Sequence, residues 1–195
     1  VLRAGGDPGR VVFSGVGKTE AEVEQALEAG ILAFNIESEA ELERISAVAI
    51  RRAQRAPISL RVNPDVDART HPYISTGLKE NKFGIDIQAA EALYHRAARM
   101  PGIAVTGMDF HIGSQLTELE PLVDALSRSL ALVDRLEAAG IAIEHLDIGG
   151  GLGIRYEDET PPTPDALAGR LAPLLNGRRQ KLLMEPGRAL VGEAG

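Results

Sequence analysis

The chain has 195 residues, of which 44% are hydrophobic and 25% charged, proportions that suit one well-buried globular domain and exclude a disordered one. It has no cysteine, which excludes disulfides, thiolate metal sites and a cysteine nucleophile; its formal net charge of -7, with both signs interspersed, excludes the basic footprint of a nucleic-acid binder. With no apolar run of about eighteen residues and no secretory leader, the expectation is a cytoplasmic protein with a small-molecule partner and no membrane contact.

Six short runs rich in Val, Ile and Leu, at 11–14, 33–36, 58–62, 105–110, 143–148 and 181–184, alternate with helical patterns. This is the signature of repeated β-α units around a parallel sheet, and runs without a central charge predict strands buried on both faces. Thr19 with Glu22, Ser38 with Glu41 and Thr117 with Glu120 have the spacing of capping boxes and predict three helix starts. Asp86 and the Thr163-Pro164 pair predict two more, and Gly30 and Gly140 predict left-handed helix ends. No composition shift divides the chain, so 1–195 reads as a single domain. Val1 is not an initiator methionine and Gly195 follows closely on a predicted strand, so both ends are expected to be cuts through a larger protein.

Alternation alone does not choose between an open doubly wound sheet and a closed barrel. Polar or glycine-rich residues follow nearly every predicted strand, among them Ser14, Asn35, Glu37, Arg61, Asn63, His111 and Ser114. Function at many successive strand ends is what a barrel mouth requires, so an α/β barrel is predicted, with six of eight strands in hand. The segment 64–84 has Pro and Gly but no periodicity, and a loop of that length predicts a functional one.

DIGGGLG at 147–153 follows a predicted strand. Gly149, Gly150 and Gly151 would let backbone N–H groups approach a phosphate, or would simply make a tight turn. EPGR at 185–188 ends the last strand with Glu185 and Arg188 set by the Pro186-Gly187 turn; the choices are an ion pair between them or, with DIGGG, a phosphate grip. HIGSQ at 111–115 offers an imidazole that could pack or stack on a planar ring. SGVGKT at 14–19 is not a P-loop, because that motif needs glycine where Val12 stands. His71, His95 and His145 have no metal-ligand spacing, so no metal is predicted.

Taken in order, FSGVGKT, FNIESEAEL, LRVNPDV, HPYISTGLKENKFGI, DFHIGSQ, LDIGGGLGI and MEPGR make the whole chain resemble the diaminopimelate decarboxylase family, within the alanine-racemase-like pyridoxal-phosphate decarboxylases. The resemblance implies a partial (β/α)8 barrel whose six units match strands three to eight. It implies pyridoxal 5'-phosphate as cofactor, with His111 stacked on the ring, Ser114, Gly149, Gly150 and Gly151 on the phosphate, and Arg61 near the ring's O3' side. Glu185 would pair with the pyridine nitrogen, and Gly187 and Arg188 would complete the site, with Arg188 serving the phosphate or a substrate carboxylate. Glu185 and His111 are thus the expected catalytic pair. The implied reaction is decarboxylation of meso-2,6-diaminopimelate to L-lysine by a homodimer; the alternatives are another basic amino-acid decarboxylase of the group, or a noncatalytic relative. The family's Schiff-base lysine and its C-terminal β domain, with a Cys-Glu-Ser-Gly-Asp segment, have no counterpart here, and Lys18, Lys79, Lys82 and Lys181 match other positions, so the chain alone is expected to be inactive.

Overall fold

Strands with period-two alternation have two unlike faces, and in this protein that difference organises the molecule. The computed structural model describes residues 1–66, 83–192 and 194. Seven parallel strands, β1 (Val12–Phe13), β2 (Ala33–Ile36), β3 (Ala56–Asn63), β4 (Ile85–Asp86), β5 (Ile103–Asp109), β6 (His145–Asp147) and β7 (Lys181–Leu183), form one sheet. Its order is β1-β2-β3-β5-β6-β7, with the short β4 paired to the end of β3. The six predicted strands are all present with ends shifted by a few residues. β4 was not foreseen, because two residues are too short a run to carry a period.

Helices α1 (Glu20–Ala29), α2 (Glu39–Arg51), α3 (Ile87–Ala97), α4 (Glu120–Ala138), α5 (Pro164–Leu175) and α6 (Gly187–Val191) alternate with the strands. Thr19 and Glu22 make the full reciprocal box, while Asp86 and Thr163 cap α3 and α5. The Ser38 box is only half made: Ser38 accepts from the Glu41 N–H, but the Glu41 carboxylate turns away to other partners. The Thr117–Glu120 box does not form, since α4 begins at Glu120 itself with Leu119 as an uncapped N-terminus. Pro121, with its pre-set φ, starts this helix, and Glu120 pairs with Arg170 of α5 instead.

The register sets Phe34 beside Ile58, Ile36 beside Leu60 and Leu60 beside Met108, and these side chains, with Val62, Phe110, Leu146 and Ile148, form the apolar core under the helices. Each such side chain stabilises the fold by roughly 1.5–3 kcal/mol. The opposite face carries Asn35, Ser59, Arg61, Asp109, His145 and Asp147, all but Arg61 buried. The central strands β2, β3, β5 and β6 are therefore largely buried on both faces, as expected, but the inner one is polar rather than apolar; β1 and β7, at the ends of the sheet, are only partly buried.

This inner face is concave. Ser59 of β3 meets His145 of β6 at 2.8 Å across the intervening β5, which is possible because Gly107 has no side chain there; a Cβ would lie 2.2 Å from the imidazole. Asn35 of β2 lies near enough to Asp147 of β6 for its amide to stabilise that carboxylate, although a flat sheet would hold those strands about 14 Å apart. The sheet is thus curled into part of a barrel.

The predicted functional loop falls largely on residues 67–82, outside the described residues, as do His71, Lys79 and Lys82. Beyond it, Gly84 sits at φ +88°, where a Cβ would come 2.7 Å from the Arg61 carbonyl oxygen.

The path ends at β1 and β7, both with an unpaired edge among the described residues, and an apolar hollow of ≈330 Å³ opens beside β1 between Leu2, Phe13, Ala26 and Ile31. Open parallel edges with apolar surroundings template association. Expressed alone, the 195-residue chain is expected to elute as soluble aggregate in size-exclusion chromatography with light scattering; a monodisperse monomer with a cooperative melt would contradict this.

Candidate active site

All the predicted site residues lie at the C-terminal ends of the strands. Arg61 is near the C-terminal end of β3, His111 and Ser114 follow β5, the three glycines follow β6, and Glu185, Gly187 and Arg188 follow β7. Asp147 starts the assembly: its Oδ1 accepts from the Gly149 N–H at 2.9 Å and folds the chain back on itself, with Gly149 in the left-handed region at φ +65°. The Gly149 carbonyl accepts from Glu185 N–H at 2.7 Å, and the Gly151 carbonyl from Leu116 N–H at 2.8 Å. A Cβ on Gly150 would lie 2.0 Å from the Glu185 carbonyl oxygen. The glycines therefore let three strand-end loops lie backbone against backbone.

That closeness fixes the chemistry of His111. Gly150 N–H donates to its Nδ1 at 3.2 Å, so Nδ1 carries no proton. Burial lowers the imidazole pKa, and the Arg61 charge lowers it further, so the ring is neutral. Arg188 does not pair with Glu185, which disposes of the ion-pair alternative. Its Nη1 donates to the Tyr156 hydroxyl at 2.7 Å, with the guanidinium 5.7 Å from that ring's centroid. Glu185 has no ion pair among the described residues, and its pKa is raised, first by burial and then by Asp147. The Ser114 hydroxyl has no hydrogen bond to a described residue.

Arg61 donates to Glu37 Oε1 at 2.7 Å, its Nε stands 4.0 Å from Asp109 Oδ2, and it faces the Phe83 ring at 5.6 Å. Sequence reasoning noted Glu37 only as a polar strand end and gave no role to Asp109, Asp147 or Tyr156. For Glu37, Asp109 and Asp147 the available signal was a carboxylate at the end of an apolar run; Tyr156 lies in a loop and carried none. Lys18, expected to be a poor substitute for the cofactor lysine, is indeed engaged elsewhere, with a side chain 1% exposed and bound to Glu41. Lys181 lies at the opposite, N-terminal end of β7.

The mouth thus gathers four carboxyl groups, from Glu37, Asp109, Asp147 and Glu185, with two arginines, of which Arg61 is already held by Glu37 and Arg188 by the Tyr156 hydroxyl. A spare hydroxyl, a neutral imidazole, a raised carboxyl without a cation and a tethered guanidinium are the donor set that fits a planar, protonatable ring bearing a phosphate.

A family profile described as "Pyridoxal-dependent decarboxylase, pyridoxal binding domain" matches residues 1–192, and the chain belongs to that family. Within it, the chain is similar to the diaminopimelate decarboxylases of Pseudomonas aeruginosa, at 60% identity, and of Neisseria meningitidis serogroup B, at 58%. Each match takes in 100% of this chain and 47% of the relative, so the chain spans about half the length of the curated relatives it matches. Among solved structures, Helicobacter pylori diaminopimelate decarboxylase complexed with L-lysine superposes with a TM-score of 0.91 at 43% identity, over 97% of this chain and 48% of that one. The M. jannaschii enzyme in co-complex with L-lysine gives 0.83 at 38%, over 94% and 44%. The partial barrel read from the sequence is the fold these structures share with the chain.

Asp109 is the carboxyl most out of place: it is 3% exposed, and burial, followed by the Asp147 charge, holds its pKa well above the usual value. Folding then favours its protonated form, so its stabilising contribution is complete below the unfolded pKa of about 3.9 and is lost as pH rises toward the raised folded value, at about 1.4 kcal/mol per unit. Asn mimics the neutral acid. In the complete protein that contains this chain, D109N is expected to raise the melting temperature at pH 7–8 and to lose that advantage near pH 4. A gap independent of pH would show that Asp109 does not titrate in this way.

Proposed function

We propose that this chain is the cofactor-binding half of a diaminopimelate decarboxylase, a carboxy-lyase that binds pyridoxal 5'-phosphate and converts meso-2,6-diaminopimelate to L-lysine in cytoplasmic lysine biosynthesis. The observation that carries the proposal is the backbone-to-backbone packing of the loops after β5, β6 and β7, which gathers His111, the glycine turn and Glu185 at one mouth. The 60% identity to a diaminopimelate decarboxylase over the entire chain supports the substrate.

When bound, the cofactor supplies a conjugated ring that takes up the electron pair left as CO₂ departs. The residues of this chain do the rest. His111, neutral and pinned through Nδ1 by Gly150, offers an uncharged face for stacking. Ser114 and the Gly151 N–H would donate to the phosphate, while Gly149 and Gly150, whose N–H groups go to Asp147 and His111, would shape the turn that lets it approach, with Arg188 supplying charge there or at a substrate carboxylate. Gly187 keeps the turn between Glu185 and Arg188 small. Glu185 would hold a proton on the ring nitrogen: a carboxyl whose pKa is raised by burial and by the Asp147 charge would gain a cationic partner, and the ring nitrogen would stay protonated in return. Arg61 would serve the O3' side of the ring. The remaining parts of the site, including the lysine that joins the cofactor and a homodimer partner, belong to the rest of the enzyme.

The test uses the complete protein loaded with pyridoxal phosphate. It is expected to release CO₂ from meso-diaminopimelate and far less from ornithine or arginine, and E185Q is expected to lower kcat by roughly a hundredfold, the scale on which preorganised electrostatic groups act. Unchanged turnover in E185Q would remove the role given to Glu185, and preference for ornithine or arginine would move the chain to another branch.

A further inference from the structure

Arg61 is held more elaborately than a barrel-mouth arginine needs for stability. Its partner Glu37 has a side chain only 4% exposed and lies just past β2, where a loop would ordinarily leave it free to move. It is not free: the Glu37 N–H donates to Glu41 Oε2 at 2.7 Å, and Glu41 Oε1 accepts from Lys18 Nζ at 2.8 Å. Lys18 spends its other two protons on backbone carbonyls, Gly15 at 2.6 Å and Asn35 at 2.7 Å. An unbroken series of bonds thus runs from the loop after β1, through the first turn of α2 and the end of β2, to the guanidinium on β3.

A buried ion pair is a poor device for stability, since its desolvation cost rivals its Coulomb gain and apolar residues of equal volume often serve as well. Here both ends of the Lys18–Glu41 pair terminate on backbone atoms at the mouth, so what it contributes is position. The second carboxylate near Arg61 is a weaker hold: Asp109 stands 4.0 Å from Nε, and that Nε, like Glu37 Oε2, is buried without a hydrogen-bond partner. Without Glu37 the guanidinium would be free to turn toward Asp109.

We infer that Glu37 is a positioning residue that sets the direction in which Arg61 presents its guanidinium to the cofactor, and that the buried Lys18–Glu41 pair is the anchor that holds Glu37 in place. The inference rests on the proposed place of Arg61 beside the ring. It gives Lys18 a different task from the cofactor-joining lysine of the family: all three of its protons are bound in the anchor.

The experiment is a double-mutant cycle on the complete protein, reading the dissociation constant of pyridoxal phosphate by absorbance titration with the melting temperature alongside. R61A and E37A are each expected to weaken cofactor binding by about ten- to a hundredfold, the range for residues that orient a ligating group. The double variant is expected to be no weaker than R61A, because Glu37 acts only through Arg61. E37Q, whose amide oxygen still accepts from Nη1, restores most of the affinity. E37D keeps the charge but withdraws it by one methylene, and is expected to lose affinity at an unchanged melting temperature, which covers the case in which E37A folds poorly. Losses that multiply in the double variant, or E37A and E37D that bind as the wild type does, overturn the inference while leaving the cofactor assignment standing. Wild-type affinity in R61A instead removes Arg61 from the cofactor site, and the inference with it.

Discussion

The constraint on which the structure depends is the pleat of its parallel strands. Successive residues point to opposite faces, so the alternation Phe34, Asn35, Ile36 on β2 and Glu37 just past it, matched by Leu60, Arg61, Val62 on β3 and Met108, Asp109 on β5 with Phe110 just past it, sends apolar groups under the helices and polar groups into the concavity. One face supplies the free energy of folding and the other supplies the chemistry. A register slip of one residue along a whole strand would exchange them; the single irregularity in the β3–β5 ladder, where Ile58 pairs with Val105 but Ser59 with Gly107, leaves the mouth-proximal pairs Leu60 with Met108 and Arg61 with Asp109 in step.

Keeping that inner face polar has a cost. Barrel interiors are ordinarily filled by branched apolar side chains; this one holds Asn35, Ser59, Asp109, His145 and Asp147, partly satisfied by bonds such as Ser59 with His145 and Gly149 N–H with Asp147, while the Asn35 Oδ1 is buried without a hydrogen-bond partner among the described residues. Burial pushes the carboxyls of Asp109, Asp147 and Glu185 upward and the imidazole of His111 downward, so each is moved toward its neutral form. A mouth with more carboxyls than cations is preorganised for a positively charged guest, as a protonated pyridine ring is. The stability given up on the inner face is offset by the apolar face and by surface pairs such as Arg170 with Glu120, which tie neighbouring helices but individually contribute little.

Positioning at the mouth relies on backbone more than on side chains. Loops after β5, β6 and β7 touch through carbonyl and N–H groups at Gly149, Gly151 and Glu185, and the functional side chains project from that frame. The exception is Arg61, a long side chain on a strand, which is why it alone is steered by a carboxylate anchored through Glu41 to Lys18.

The sequence by itself determined much of this. Alternating apolar runs and helix signals sufficed for six parallel strands, because buried strands and amphipathic helices leave periods that survive in one dimension. The glycine turn, EPGR and HIGSQ were legible as strand-end motifs, since backbone approach and tight turns demand those residue types, and their order carried the family resemblance. Tertiary structure decided what sequence periodicity cannot carry. The Thr117 box failed because Pro121 starts α4 at Glu120; the Glu41 carboxylate left Ser38 for Glu37 and Lys18; and β4 forms only because β3 offers it an edge. The inner face also became polar through neighbours far apart in the chain: Ser59 and His145 are 86 residues apart and meet over Gly107. Glu37, Asp109 and Asp147 are ordinary acidic residues in the sequence; the sheet brings Glu37 and Asp109 to Arg61 and sets Asp147 beside Asp109, and that distance-dependent electrostatics has no local signature.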